Sequence, residues 1–172
     1  LIERPLRFYL NPVVIGLNYI KKNFDYRRID MVGFSAGAWV TVLASAVDSR
    51  IEGSYPVGGP YPIYLRSGEE AQQSPRPQYY RPLLKTANYL EMFVLASSGS
   101  GRRQMQVFNR YDSCCYNNSK GKLYETSIQR AVQRCCDGRF DVVVDETHTR
   151  HQISRYTRDL ILNDMAGYES GR

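Results

Sequence analysis

IDMVGFSAGAW, running from Ile29 to Trp39, is the stretch from which the rest of the chain can be read. Its first six residues form a short, largely apolar run with the length and character of a buried strand. From Ala36 the pattern changes. AGAWVTVLASAVD, ending at Asp48, contains no turn former in its interior and reads as a helix. Strand meets helix at Gly33-Phe34-Ser35-Ala36-Gly37, which fits G-x-S-x-G, a turn that presents a nucleophilic serine. The spacing has a steric reason. In a strained strand-to-helix turn the residues two before and two after the serine are pressed together, so Gly33 and Gly37 are expected to remove a clash. The turn aims the hydroxyl off the end of the sheet. It also leaves the Ala36 N–H at a helix N-terminus, where it can stabilise an oxyanion.

A nucleophilic serine needs a base, and the base needs an orienting acid. The only two histidines, His148 and His151, follow an apolar strand at Phe140–Val144 and precede a helix at Ser154–Met165 capped by Ser154. Asp112 comes directly after a strand at Met105–Asn109. The order Ser35, Asp112, His is the one that accompanies this serine turn, with each residue at the C-terminal end of a strand, where open parallel sheets bind ligands. Glu91, Asp141 and Asp145 compete for the acid role. The last two lie too close to the histidine loop to occupy the acid turn.

Further elements extend outward from this frame. Asn11-Pro12 reads as a helix start, followed by Val13, Val14, Leu17 and Ile20 at helical spacing and by Lys21-Lys22 near the end. Ile51–Val57 reads as a strand stopped by Gly58-Gly59-Pro60. Residues 60–88 hold five of the eight prolines and read as an irregular excursion within one domain spanning 1–172. Asn88–Ala96 is helix or strand, Ser97–Gly101 a loop, and Lys122–Cys136 a helix. The alternation specifies an α/β class protein with a mostly parallel sheet and flanking helices.

At 172 residues the chain is long enough for one domain with a sizeable core, and 42% hydrophobic against 23% charged residues places it among soluble globular proteins. No apolar run approaches the roughly 18–20 residues of a transmembrane helix. The net charge of +6 comes from basic residues scattered singly or in pairs, without the stripe that a phosphate backbone requires, so nucleic acid is disfavoured as a partner. The four cysteines form two adjacent pairs, Cys114-Cys115 and Cys135-Cys136. Because a normal disulfide needs Cα atoms farther apart than neighbours lie, cross-links between the pairs are the expectation, each worth roughly 3 kcal/mol at most. A structural zinc is disfavoured by the lack of C-x-x-C and the scarcity of histidine. With the sequon at Asn117-Asn118-Ser119, the cysteines lean toward an oxidising compartment or secretion.

Taken together, IDMVGFSAGAW, MQVFNRYDSCC and DVVVDETHTRHQIS resemble the elbow, acid turn and histidine segment of the α/β-hydrolase superfamily, in the manner of esterase-like and dienelactone-hydrolase-like members. The resemblance spans nearly the whole chain. It implies a serine hydrolase cleaving a carboxylic ester or related acyl bond, with Ser35 as nucleophile, Asp112 as acid and a histidine as base, and with no metal or organic cofactor. His148 lies four residues after its strand, as in many members. His151, in HQIS just before the helix cap, resembles the end of the histidine loop in esterase-like sequences and is favoured. Superfamily members carry several strands before the elbow, and an early loop there donates the second oxyanion N–H. Only about one helix precedes the elbow strand here. The expectation is therefore the C-terminal portion of an α/β-hydrolase fold, with the first strands upstream or on another chain. A non-catalytic assembly subunit that keeps the hydrolase core is the alternative.

Overall fold

The computed structural model describes residues 5–68 and 74–170, with side chains as far as residue 167. Four strands, β1 (Asp30–Phe34), β2 (Gly53–Val57), β3 (Arg102–Asn109) and β4 (Gly138–Asp145), form one parallel sheet in the order β1-β2-β3-β4. The register places Phe34 beside Val57, Val57 beside Val107, and Asn109 beside Asp145. All four C-terminal ends therefore open onto one edge.

Six α-helices are described: α1 (Arg7–Asn23), α2 (Ala36–Val47), α3 (Arg81–Thr86), α4 (Tyr89–Ser97), α5 (Lys122–Cys135) and α6 (Arg155–Ser170). Along β3 and β4 side chains alternate between the faces of the sheet. Phe108, Phe140 and Val142 meet Trp39 and Leu43 of α2, Phe93 of α4, and Tyr124 and Ile128 of α5 in the main core. Met105, Val107 and Val143 point the other way, onto Leu160, Ile161 and Met165 of α6. Helix α1 covers α2, burying Leu17 against Ala44 and Ile51.

The first helix begins one turn earlier than Asn11-Pro12 suggests, with Pro12 inside it. Proline there gives up one helical hydrogen bond. Packing of Leu6 and Leu10 against the cores offsets that loss. The segment at Asn88 resolves as a helix because of a capping box. Asn88 Oδ1 accepts from Leu90 N at 2.9 Å and Glu91 N at 3.2 Å, while the Glu91 carboxylate accepts from Asn88 N at 2.7 Å. Strand β3 starts three residues before Met105. Its first residue, Arg102, is buried and donates to the carbonyls of Ser45, Ile51, Leu95 and Ser98, tying together the ends of α2 and α4. Within 60–88, residues 69–73 lie outside the described set. The rest holds two short 3-10 helices, Ile63–Leu65 and Arg76–Tyr79, and helix α3.

The cysteine pairing differs from expectation. The sulfurs of each adjacent pair, Cys114–Cys115 and Cys135–Cys136, are at disulfide distance, and no cross-link joins the pairs. Helix α5 explains this. It carries the chain from the loop after β3 back to the start of β4, and Cys135 sits at the far end of its 14 residues, about 21 Å from the helix start that follows the first pair.

Candidate active site

Ser35 stands between β1 and α2 with φ 56° and ψ −116°, a conformation that side-chain-bearing residues rarely adopt. Two features hold it there. Its N–H donates to the Val57 carbonyl at 2.9 Å, and its carbonyl accepts from Ala38 N at 3.0 Å. The turn closes on Gly33, where a Cβ would lie 2.2 Å from the Gly37 carbonyl oxygen and 2.2 Å from Thr41 Oγ1. Gly37 is different: a Cβ there meets nothing within 4 Å, so only one of the two glycines is sterically required. The clash is one-sided because the Gly37 backbone, not its α-hydrogen, faces Gly33.

Asp112 lies in the turn after β3 and is buried at 4% exposure. Its Oδ1 accepts from the N–H groups of Cys114 at 2.8 Å and Cys115 at 3.3 Å. These two donors fix the carboxylate plane and leave Oδ2 for His151 Nδ1, 2.9 Å away. On the other side of the ring, His151 Nε2 lies 2.9 Å from Ser35 Oγ. The imidazole also packs on the Phe34 ring, with centroids 4.5 Å apart. Ser35, His151 and Asp112 thus form one continuous hydrogen-bonded line from three strand ends.

His148 is outside that line. Its Nδ1 is 3.2 Å from Asn109 Nδ2, and its Nε2 is 3.4 Å from Asp145. The three competing acids are committed elsewhere. Glu91 caps α4, and Asp141 pairs with Arg139 at 2.6 Å. Asp145 accepts from the Ser154, Thr147 and Thr157 hydroxyls and from Thr147 N. Burial pushes the Asp145 carboxyl up, but those hydrogen bonds outweigh it and hold the pKa at about 2. Asp145 therefore clamps the start of α6, where Ser154 Oγ accepts from Thr157 N as the cap.

Two further ties join the acid and histidine loops. Ser113 N donates to the Thr149 carbonyl at 3.0 Å, and Asn109 Nδ2 to the Arg150 carbonyl at 3.2 Å. Asn109 and Asp145 thus tie the histidine loop to the ends of β3 and β4, contacts that the sequence did not signal. A strand-end polar residue gives no signal of its partner in another loop.

Beside Ser35 is a cavity of about 110 Å³ lined by Ser35, Ala36, Ser74, Pro75, Gln78, Cys115 and Tyr116. Tyr116 OH is 2.6 Å from Ser74 Oγ and donates to Gln78 Oε1 at 2.9 Å, and Arg66 Nη1 donates to the same Oε1 at 2.7 Å. Burial raises the Tyr116 phenol, so it stays a neutral hydroxyl. The ring fits because Gly59, at φ 128°, has no Cβ; one would sit 2.6 Å from it. Ala36 is the first residue of α2, so its N–H has no acceptor within the helix, and the residue lines the cavity beside Ser35.

No family model matches the chain, and no curated protein matches it in sequence. Solved structures do match it in fold. An esterase from Pyrococcus furiosus aligns with a TM-score of 0.60 at 15% identity, over 94% of this chain and 61% of that one. An acetyl xylan esterase from Paenibacillus sp. R4 aligns at 0.59 and 13% identity, over 94% and 52%. A protein of Klebsiella pneumoniae described as a dienelactone hydrolase aligns at 0.56 and 14% identity, over 93% and 60%. The chain has the α/β-hydrolase fold. It spans between half and two-thirds of the length of these three proteins. Among the described residues, no helix is long and apolar enough to cross a membrane.

Proposed function

We propose that this chain carries the catalytic residues of a serine hydrolase that cleaves a carboxylic ester or related acyl bond through a Ser-His-Asp triad and an acyl-enzyme. The observation that carries this reading is the unbroken line Ser35 Oγ, His151 Nε2, His151 Nδ1, Asp112 Oδ2, with both hydrogen bonds at 2.9 Å. The match to esterase structures agrees with it at the level of fold.

In this mechanism Ser35 Oγ attacks the carbonyl carbon and its proton passes to His151 Nε2. Asp112 keeps the Nδ1 proton in place and stabilises the imidazolium. The oxyanion takes a hydrogen bond from Ala36 N–H. Collapse returns the proton to the leaving alcohol and leaves an acyl group on Ser35. Water, deprotonated by the same imidazole, then releases the acid. The cavity beside Ser35, at about 110 Å³, is where a group of the substrate next to the reacting carbonyl would sit. The partner is thus a small-molecule ester, and water is the only other reactant.

A fluorophosphonate probe tests this directly. The full-length protein should be labelled at Ser35, and S35A should not be labelled. Labelling that survives S35A, or an unlabelled wild-type protein, removes the catalytic reading and leaves the assembly-subunit alternative.

A further inference from the structure

Both nitrogens of His151 are engaged in the hydrogen-bonded line, yet a second set of groups lies against the same ring. One ligating atom from each of Cys114, Cys115 and His151 falls within a sphere where all three are within 4.8 Å of one another. Cys115 also lines the Ser35 cavity. Their closeness is not accidental to the acid turn. The Cys114 and Cys115 N–H groups bind Asp112, which binds His151, so the backbone that orients the base also brings two sulfurs beside it.

With the sulfurs joined to each other they offer no ligand to a metal ion. Opened, they are two thiols next to an imidazole, a donor set that suits thiophilic divalent cations. We propose that Cys114, Cys115 and His151 form a thiol-gated site for a cation of the zinc class, whose occupancy takes the imidazole away from the Ser35–His151–Asp112 line. The binding stands independently of the function proposed above; its inhibitory consequence rests on that reading.

Opening is a two-electron exchange with a reductant of the dithiol class. The S–S bond between Cys114 and Cys115 breaks and one forms in the reductant, whose two thiol protons end on the cysteines. Zinc then displaces both protons and binds two thiolates and one imidazole nitrogen, leaving the fourth tetrahedral position to water. Donor atoms around tetrahedral zinc lie roughly 3.5–3.8 Å apart, given bond lengths of about 2.3 Å to sulfur and 2.0 Å to nitrogen. Binding therefore requires the two sulfurs, now joined, to part and at least one of them to approach the imidazole nitrogen by up to about an ångström.

The acid turn survives opening, because its bonds to Asp112 come from backbone N–H groups and not from sulfur. The base does not. If zinc takes Nε2, the bond to Ser35 is lost; if it takes Nδ1, the bond to Asp112 is lost. The lack of C-x-x-C and the scarcity of histidine disfavoured a structural zinc; the third donor here comes from a separate loop that only the fold brings close.

The test uses the full-length protein with Cys135 and Cys136 changed to serine, so that one cysteine pair is counted. It is reduced with excess dithiothreitol and freed of it under argon by gel filtration. Titration with cobalt(II), then competition with zinc against a chromophoric chelator, should show one ion per chain and thiolate-to-cobalt charge-transfer absorption. C114S and C115S should each abolish that absorption, and H151A should weaken zinc binding by about tenfold or more. The oxidised protein should bind none. Absence of stoichiometric binding after reduction, or affinity unchanged in H151A, overturns the proposed site. Fluorophosphonate labelling of the same samples separates the two readings. Zinc should suppress labelling only in the reduced protein, with recovery on adding EDTA. If the oxidised protein labels but zinc bound to the reduced protein leaves labelling intact, the gating proposal fails while the hydrolase reading stands. If the site binds zinc as described and the oxidised protein never labels, the hydrolase reading fails and the metal site stands.

Discussion

His151 Nε2 lies 2.9 Å from Ser35 Oγ across a sequence separation of 116 residues. The contact forms because β1 and β4 end at the same edge of one parallel sheet and the loops beyond them converge over β2 and β3. The neighbouring His148, three residues earlier, is held off by Asn109 and Asp145.

The two histidines should therefore separate cleanly by mutation. H151A is expected to abolish fluorophosphonate labelling and to lower ester hydrolysis by several orders of magnitude. H148A should retain labelling, with a loss of less than about tenfold in kcat/KM, roughly 1.4 kcal/mol. The measurement is hydrolysis of a chromogenic acetate ester by the full-length protein. Equal losses in both variants contradict the assignment.

Asp112 is held by two backbone donors while it orients His151, so its charge can be removed with little loss of shape. D112N should fold like the wild type and lose about 10⁴-fold in kcat, since the amide favours the wrong imidazole tautomer. A thermal melt within a few degrees of wild type, together with the kinetic loss, is the expected pair of results.

Ser35 holds a left-handed backbone conformation at φ 56° that glycine adopts more easily. S35G should remove the hydroxyl and also relieve strain, raising stability by about 1 kcal/mol while eliminating labelling. S35A should eliminate labelling without that gain. Chemical denaturation of the three proteins gives the comparison.

Gly33 and Gly37 look equivalent in the motif but are not in space. G33A drives a methyl group to within 2.2 Å of the Gly37 carbonyl oxygen, and should cost about 3 kcal/mol or prevent folding. G37A meets nothing and lies in the first turn of α2, so it should be neutral or stabilising by up to about 1 kcal/mol. Comparable destabilisation by both substitutions runs against this geometry.

Asp145 gives the fold a dependence on acid. Its carboxyl ionises at about 2 in the folded chain against 3.8 for the free group, so the folded state binds its proton less tightly. The stability it contributes is fully present above about pH 4 and is lost as pH falls toward 2. D145N should lose about 1–3 kcal/mol at neutral pH, because an amide cannot accept the same set of hydroxyl hydrogen bonds, and its stability should fall less steeply in that acid window. Urea melts at pH 7, 4 and 3 measure both effects.

Much of the frame was legible because its signals are local. The switch from a buried strand to a helix at Ser35 is a change of hydrophobic period, and the Ser154 cap is a single side chain at a helix start. Asp112 and the histidine pair could be placed at strand ends for the same reason. The Pro12 and Arg102 boundaries were displaced by packing: Leu6 and Leu10 extend one helix, and the buried Arg102 guanidinium extends one strand. Both effects depend on residues distant in the chain.

What the sequence determined by itself, then, is the alternation of strand and helix, the strained serine turn, and the order of the three chemically capable residues. Periodicity and turn chemistry act over a few residues, so a single chain displays them. The 2.9 Å contact of His151 with Ser35, the unequal surroundings of Gly33 and Gly37, the pairing of each cysteine with its neighbour, and the gathering of Cys114, Cys115 and His151 were decided only by the tertiary structure. Each is a distance of a few ångströms between loops or turns, set by the register of a parallel sheet and by which helix lies between. No local pattern encodes such a distance, because it is fixed by the packing of the whole core.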